Sequence, residues 1–284
     1  MPARTGEQFL KGLADGREVW VGNEKVSDVT DHPAFAGAAR GLAGSFDLQH
    51  EFAEDCLMAD PETGEKINVS HMIPRSKEDL KQRHKGTAEY TVGVMGRSPD
   101  YMNVTYAGFA GRSDEWGANG NEEGAENLVN YQKFLRRDDI SLTHTIIQPT
   151  IDKAEGDAPK PGNTVSLRKV GETEHGIIVR GARILATLAP FADEIAVYPG
   201  APLLPGTDDY ALAFCIPMNT PGLKFICRDS CSGSRNAFDH PLSSRFDEQD
   251  AFVIFDDVEV PWDRLHINCN MDVYNQVMRT GWFP

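Results

Sequence analysis

The sequence predicts an α+β fold: a mainly helical first half, a run of short strands, and a return to helix at the end. Two changes of period carry this reading. Apolar residues recur at helical spacing up to Arg136, then gather in β-branched, alternating runs between Ser141 and Val260. At Met271 the helical spacing returns, with Val273, Val277 and Met278. The expected organisation is therefore residues 1–140 as an N-terminal, mainly helical domain and 141–266 as a central antiparallel β-barrel or sandwich. Residues 267–284 read as the start of a C-terminal helical domain that breaks off at Pro284.

Taken in order, Thr5 to Ala14 forms a short amphipathic helix with Phe9, Leu10 and Leu13 on one side. Val19-Trp20-Val21 and Lys25-Val26 make an extended pair turning at Gly22-Asn23-Glu24. Asp31-His32-Pro33 reads as a helix start, Asp31 capping and Pro33 in the first turn, ahead of an inward stripe of Phe35, Ala38, Leu42 and Phe46. Ser76 and Asp79 resemble a capping box for a helix running to Val94. Pro99 disfavours helix at Ser98, so Ser98 as cap, Pro99 at the first helical position and Asp100 in the first turn predict a restart carrying Met102, Tyr106, Phe109 and Ala110 inward. Glu122 to Arg136 closes the helical half.

Seven strands are expected after it: 141–148, 164–170, 176–186, 194–198, 210–216, 222–227 and 251–260. Gly171 to Gly176 joins the second and third as a hairpin loop.

Composition narrows the function classes. With 40% hydrophobic and 25% charged residues, and no apolar run of about 20 residues, the chain reads as a cytoplasmic globular protein. A net charge of −15 would repel a phosphate backbone, which argues against nucleic acid. An anionic small molecule would need a local positive charge. Cys56, Cys215, Cys227, Cys231 and Cys269 form an odd set without a CxxC pair. They read as buried structural thiols, with neither a disulfide framework nor a metal site.

Six stretches in order resemble the 4-hydroxyphenylacetate 3-hydroxylase family. They are Gly96-Arg97-Ser98-Pro99-Asp100-Tyr101-Met102-Asn103, Leu142-Thr143-His144-Thr145, Gln148-Pro149-Thr150, the run Gly176 to Arg183, Ala186-Thr187, and the run Val253 to Arg264. The resemblance implies an acyl-CoA-dehydrogenase-like fold with its C-terminal helical bundle truncated. It implies the oxygenase component of a two-component, FADH2-dependent aromatic monooxygenase. Such an enzyme ortho-hydroxylates a phenol, most simply 4-hydroxyphenylacetate to 3,4-dihydroxyphenylacetate, through a flavin hydroperoxide. Reduced FAD would come from a separate flavin reductase, and the whole protein would be a tetramer. A halogenated or otherwise substituted phenol is an alternative substrate, and a non-catalytic truncated module an alternative role. A 4-hydroxybutyryl-CoA dehydratase-like enzyme needs cluster thiolates near Gly96, whereas Glu89 to Gly108 holds no cysteine.

The chemistry asks for particular side chains. Moving a phenol pKa from near 10 to about 7 takes roughly 4 kcal/mol of anion stabilisation, within reach of a cation and one or two hydrogen bonds. Arg97, Tyr101 and His144 are the types required, and the resemblance implies that they contact substrate; His144 could exchange a proton with the phenol. For flavin contacts it points to His144, Thr145, Ile146, Thr150 and Thr187. Tyr198, Pro199, Gly200 and Ala201 belong to a stretch expected to close over substrate, with Gly200 and Gly206 lending freedom. The Phe255 to Arg264 run reads as structural.

Overall fold

The computed structural model describes residues 3–91, 101–150, 158–232 and 236–281. In α1 (Gly6–Gly12) the Thr5 hydroxyl accepts from the Gln8 amide while the Gln8 side chain takes the Thr5 amide, closing a capping box. β1 (Glu18–Val21) and β2 (Glu24–Val26) are the expected extended pair. α2 (Ala36–Glu51) starts later than Asp31, and no side chain caps it. The His32 ring accepts from the Ala34 amide and its carbonyl takes the Phe35 and Ala36 amides, so Pro33 sits in a turn ahead of the helix. The inward stripe of Phe35, Ala38, Leu42 and Phe46 is buried as expected.

α3 (Ala53–Cys56) and a small hairpin, β3 (Leu57–Ala59) with β4 (Lys66–Asn68), follow without having been anticipated. α4 (Lys77–Thr91) has its box: the Ser76 hydroxyl accepts from the Asp79 amide and the Asp79 carboxylate from the Ser76 amide. The expected end at Val94 and the Ser98-Pro99-Asp100 restart lie outside the described residues. α5 (Tyr101–Gly111) buries Met102, Tyr106, Phe109 and Ala110. After α6 (Ser113–Trp116), α7 (Glu122–Asp138) ends on Asp139, left-handed at φ 49°.

The strands are β5 (Leu142–Thr145), β6 (Arg168–Glu172), β7 (Gly176–Thr187), β8 (Glu194–Val197), β9 (Leu212–Pro217) and β10 (Leu223–Cys227). Beyond α8 (Ser243–Phe246) come β11 (Asp250–Pro261), the unanticipated β12 (Leu265–Asn268) and α9 (Met271–Thr280). They build a six-stranded sheet, β2-β1-β10-β11-β7-β6, and a four-stranded sheet, β12-β9-β8-β5. Both sheets are open, and neither is wholly antiparallel. β1 runs parallel to β10, and β5 parallel to β8. A strand pair from the helical half thus completes the larger sheet.

The four-stranded sheet is the middle layer. Its strand residues divide by parity: Ile195, Val197, Leu212, Phe214 and Ile216 enter one core shared with the larger sheet, α1 and α2. Ala196, Tyr198, Ala213, Cys215 and Leu142 enter a second core with α5, α7 and α9. Burial on both faces explains why β8 and β9 are almost continuously apolar, while β11 alternates with solvent on one side. Among the cysteines, Cys56, Cys215 and Cys227 are buried, Cys269 is half-buried, and Cys231 is exposed, against the expectation of five buried thiols.

Candidate functional site

Strand alternation decides which predicted residues can meet. Leu142 lies in the core beside α5, α7 and α9, so His144, two residues on, faces the same helices. Its ring lies 5.7 Å from that of Tyr198, tilted by 30°. The Tyr198 hydroxyl in turn reaches the Met102 sulfur at 3.8 Å. This chain of contacts ties half-buried His144 to the first turn of α5, where Tyr101 stands. Arg97 lies outside the described residues, as does the side chain of Tyr101.

Thr145 points the opposite way. Its hydroxyl donates to the Ile184 carbonyl at 3.0 Å, and the Thr143 hydroxyl donates to the Thr187 carbonyl. These bonds lock β5 to the end of β7. The Thr187 hydroxyl donates to Asp250 at 2.8 Å, leaving it free only to accept further. Thr187 is flanked by Leu185 and Leu188, both left-handed at φ 61° and 59°. Such strain in non-glycine residues persists only where the surroundings impose it. Thr150 is exposed beyond the strand.

Beyond His144 the chain enters the wall of a cavity of about 130 Å³, lined by Ile146, Gln148, Arg183, Gly200, Leu203 and Tyr274 among others. A Cβ on Gly200 would stand 2.5 Å from the Ile146 carbonyl oxygen. Gly200 is therefore required by close backbone approach rather than by a need to swing. Asn275 of α9 holds the following turn, accepting from the Leu203 amide at 2.8 Å and donating to its carbonyl at 3.1 Å. Tyr198 and Pro199 are buried, Gly200 is half-buried, and Ala201 is exposed at the cavity edge.

Two polar residues of this wall escaped the sequence-based site list. Arg183 is fully buried and donates to the Ile146 carbonyl at 2.7 Å. Among the described residues its Nε and Nη2 meet no acceptor at hydrogen-bonding geometry, and the Gln148 amide oxygen and nitrogen have no partner. Burial pushes the Arg183 pKa down from the usual arginine range, with the Tyr274 hydroxyl opposing; guanidinium stays charged even so. A signal was available in the sequence: counting inward positions along β7 by twos from Ile177 and Val179 reaches Arg183.

Deeper in the helix-side core lies a buried polar cluster. The Tyr131 hydroxyl donates to Glu194 at 2.7 Å, and Arg264 reaches both Glu194 oxygens at 2.7 and 3.0 Å. Burial pushes the Glu194 carboxyl up, against the pull of Arg264 and Tyr131.

The profile of the family described as "4-hydroxyphenylacetate 3-hydroxylase N terminal" matches residues 5–267. The chain belongs to this family. Among its relatives, the 4-hydroxyphenylacetate 3-monooxygenase oxygenase component of Thermus thermophilus is 42% identical over 277 residues, covering 96% of this chain and 56% of that protein. The 4-nitrophenol 2-monooxygenase oxygenase component of a Rhodococcus species is 35% identical, covering 98% and 54%. A crystal structure of a 4-hydroxyphenylacetate 3-monooxygenase oxygenase component, complexed with FAD and 4-hydroxyphenylacetate, superposes with a TM-score of 0.88 at 40% identity, over 98% of this chain and 58% of that one. An archaeal 4-hydroxybutyryl-CoA dehydratase shares the fold, at TM-score 0.86 and 21% identity. The chain thus spans a little over half the length of these family members. The fold is the acyl-CoA-dehydrogenase-like one expected from the resemblance.

Proposed function

We propose that this chain carries the N-terminal and central parts of a flavin-dependent monooxygenase oxygenase component that ortho-hydroxylates a phenol, most simply 4-hydroxyphenylacetate. The observation that carries the reading is the match, over 98% of the chain, to a relative complexed with FAD and 4-hydroxyphenylacetate. In this reading residues 1–140, 141–266 and 267–284 are a helical domain, a β domain and the start of a further helical domain.

The residues present fit a flavin. Thr150 and Thr187 offer hydroxyl oxygens, His144 a ring nitrogen, and Thr145 and Ile146 main-chain groups, the types that hydrogen-bond an isoalloxazine edge or ribityl chain. β5 and β7, which hold three of them, are fastened by the two threonine-to-carbonyl bonds, so they need little reordering on binding. When bound, reduced FAD would supply the activation of dioxygen. The chain's own task is to hold the phenol with its hydroxyl toward His144, Arg97 and Tyr101. Arg97 lowers the phenol pKa by charge, Tyr101 adds a hydrogen bond, and His144 takes or returns the hydroxyl proton. Tyr198 to Ala201 bound the substrate space and limit water.

The partners in this reading are a separate reductase supplying reduced FAD and further copies forming a tetramer, in the cytoplasm. Among the described residues no helix is long and apolar enough to cross a membrane. A nitro-substituted phenol is the second reading, favoured by the 35% identity to the Rhodococcus 4-nitrophenol enzyme.

The test is anaerobic titration of reduced FAD into the chain, then an oxygen pulse with 4-hydroxyphenylacetate. A catechol product supports the reading. If a form extended to the length of the relatives neither binds reduced flavin nor makes catechol, the reading fails.

A further inference from the structure

We propose that Arg183, with Gln148 beside it, forms an anion-reading subsite that recognises an acid group on the phenolic substrate and so decides between acidic and neutral phenols. This rests on the phenol-hydroxylase reading and gives a role to two residues that stand in the family-like stretches with none assigned.

Three observations carry it. First, a fully buried guanidinium has Nη1 on the Ile146 carbonyl and the Tyr274 hydroxyl beside it, and its Nε and Nη2 meet no charged partner among the described residues. Among the described residues no carboxylate pairs with it, although the chain carries 43 acidic side chains. Buried arginines are ordinarily paired, and an orphaned charge in a core is costly enough to call for a ligand. Second, Gln148, only 7% exposed, lines the same cavity with both amide atoms unpartnered. Two orphaned polar groups around one space of about 130 Å³ make a built recognition site rather than a packing defect.

Third, the placement matches the length of the ligand class. His144 and Ile146 lie two residues apart on β5 and its continuation, roughly 6.6 Å along the strand, on the same side. A para-substituted phenol whose hydroxyl meets His144 can therefore extend its substituent along the strand into the cavity that Arg183 closes. The fork of a guanidinium suits a planar carboxylate. At a net charge of −15, such a local cation is what an anionic substrate needs to be held at all.

The same chemistry could serve a flavin phosphate, and the experiment separates the two sources. Affinities of 4-hydroxyphenylacetate, 4-methylphenol and phenylacetate are measured by calorimetry for the wild type, Arg183→Met, Arg183→Lys and Gln148→Leu, alongside those of FAD and riboflavin. Arg183→Met is expected to weaken both acids by about tenfold or more, the loss of a charge-assisted pair, while the affinity for 4-methylphenol moves far less. Arg183→Lys should recover part of the loss, and Gln148→Leu should weaken the acids more mildly. Equal weakening of acid and neutral phenols would make Arg183 a structural residue and overturn the inference. So would failure of wild type to bind phenylacetate, or an effect of Arg183→Met on FAD but not on riboflavin, which would assign the cation to the cofactor phosphates. Should Arg183→Met not fold, the ratio of acid to neutral affinity in Arg183→Lys and Gln148→Leu decides. If phenylacetate binding depends on Arg183 but no phenol is hydroxylated even by the extended form, the subsite stands and the hydroxylase reading falls.

Discussion

Replacing His266 with phenylalanine should flatten the acid side of the stability curve. His266 is fully buried, its ring 5.8 Å from that of Tyr106 and 5.5 Å from that of Tyr131, with neither ring nitrogen hydrogen-bonded among the described residues. Burial first, and the Arg264 charge second, push its pKa down from 6.5 to about 3. The unfolded chain takes up a proton near the ordinary value of 6.5, and the folded chain only near 3. The stabilisation is therefore complete above pH 6.5 and lost as pH falls toward 3. One proton of difference gives about 1.4 kcal/mol per pH unit, so this residue alone costs the protein about 2 kcal/mol between pH 6.5 and pH 5. In His266→Phe that component disappears, and two unsatisfied polar atoms go with it, offset in part by the bulkier ring. Urea unfolding of both proteins at pH 7 and at pH 5 measures it. The variant should lose about 2 kcal/mol less than wild type on acidification, whatever its stability at pH 7. Equal losses would mean that the native imidazole titrates near its ordinary value, refuting a dry, neutral His266.

Gly200→Ala places a methyl 2.5 Å from the Ile146 oxygen, so the turn must leave the strand; a stability loss of about 1–3 kcal/mol and weaker phenol binding are expected, read by thermal melting and calorimetry. His144→Ala should cut catechol formation by about a hundredfold or more with flavin affinity nearly intact; unchanged turnover in a rapid-mixing assay would remove His144 from the chemistry. Asp139→Asn keeps the left-handed conformation at φ 49°, which asparagine tolerates. Burial pulls the Asp139 carboxyl up, but His71 and Arg4 hold it below its ordinary 3.8, so its stabilisation is present above that value and fades as pH falls below it. The variant should be about 1–3 kcal/mol less stable at pH 7 and show a shallower acid decline below pH 4, by denaturant titration.

What the sequence disclosed follows from the range of the interactions involved. The capping pairs Thr5/Gln8 and Ser76/Asp79, the inward faces of α2 and α5, and the β6–β7 hairpin depend on neighbours a few residues apart. They could be read directly. The parallel pairing of Val19 with Phe225 could not, because the partners lie some two hundred residues apart and neither local pattern names the other. β12 escaped because four residues, Leu265-His266-Ile267-Asn268, are too few to show a period. Asp31 misled because its neighbour His32 satisfies the amides that a cap would have served.

The site divides along the same line. His144 and Tyr198 were picked out by local motif and do meet, yet Thr145, adjacent to His144, faces the other layer because strand residues alternate. A motif names residues but cannot say which of two consecutive side chains shares a space with a third element. Arg183 shows the reverse. Within its stretch it is one of two arginines, the other, Arg180, pairing with Asp257 outside, and only its parity with Ile177 and Val179 points inward. Its significance arises when β5, β7 and α9 enclose it beside Gln148 and, among the described residues, no acidic partner arrives. A chain so rich in carboxylates could readily have supplied one. The unfilled edge of Arg183 is thus better read as a place kept for an external anion than as a defect of packing.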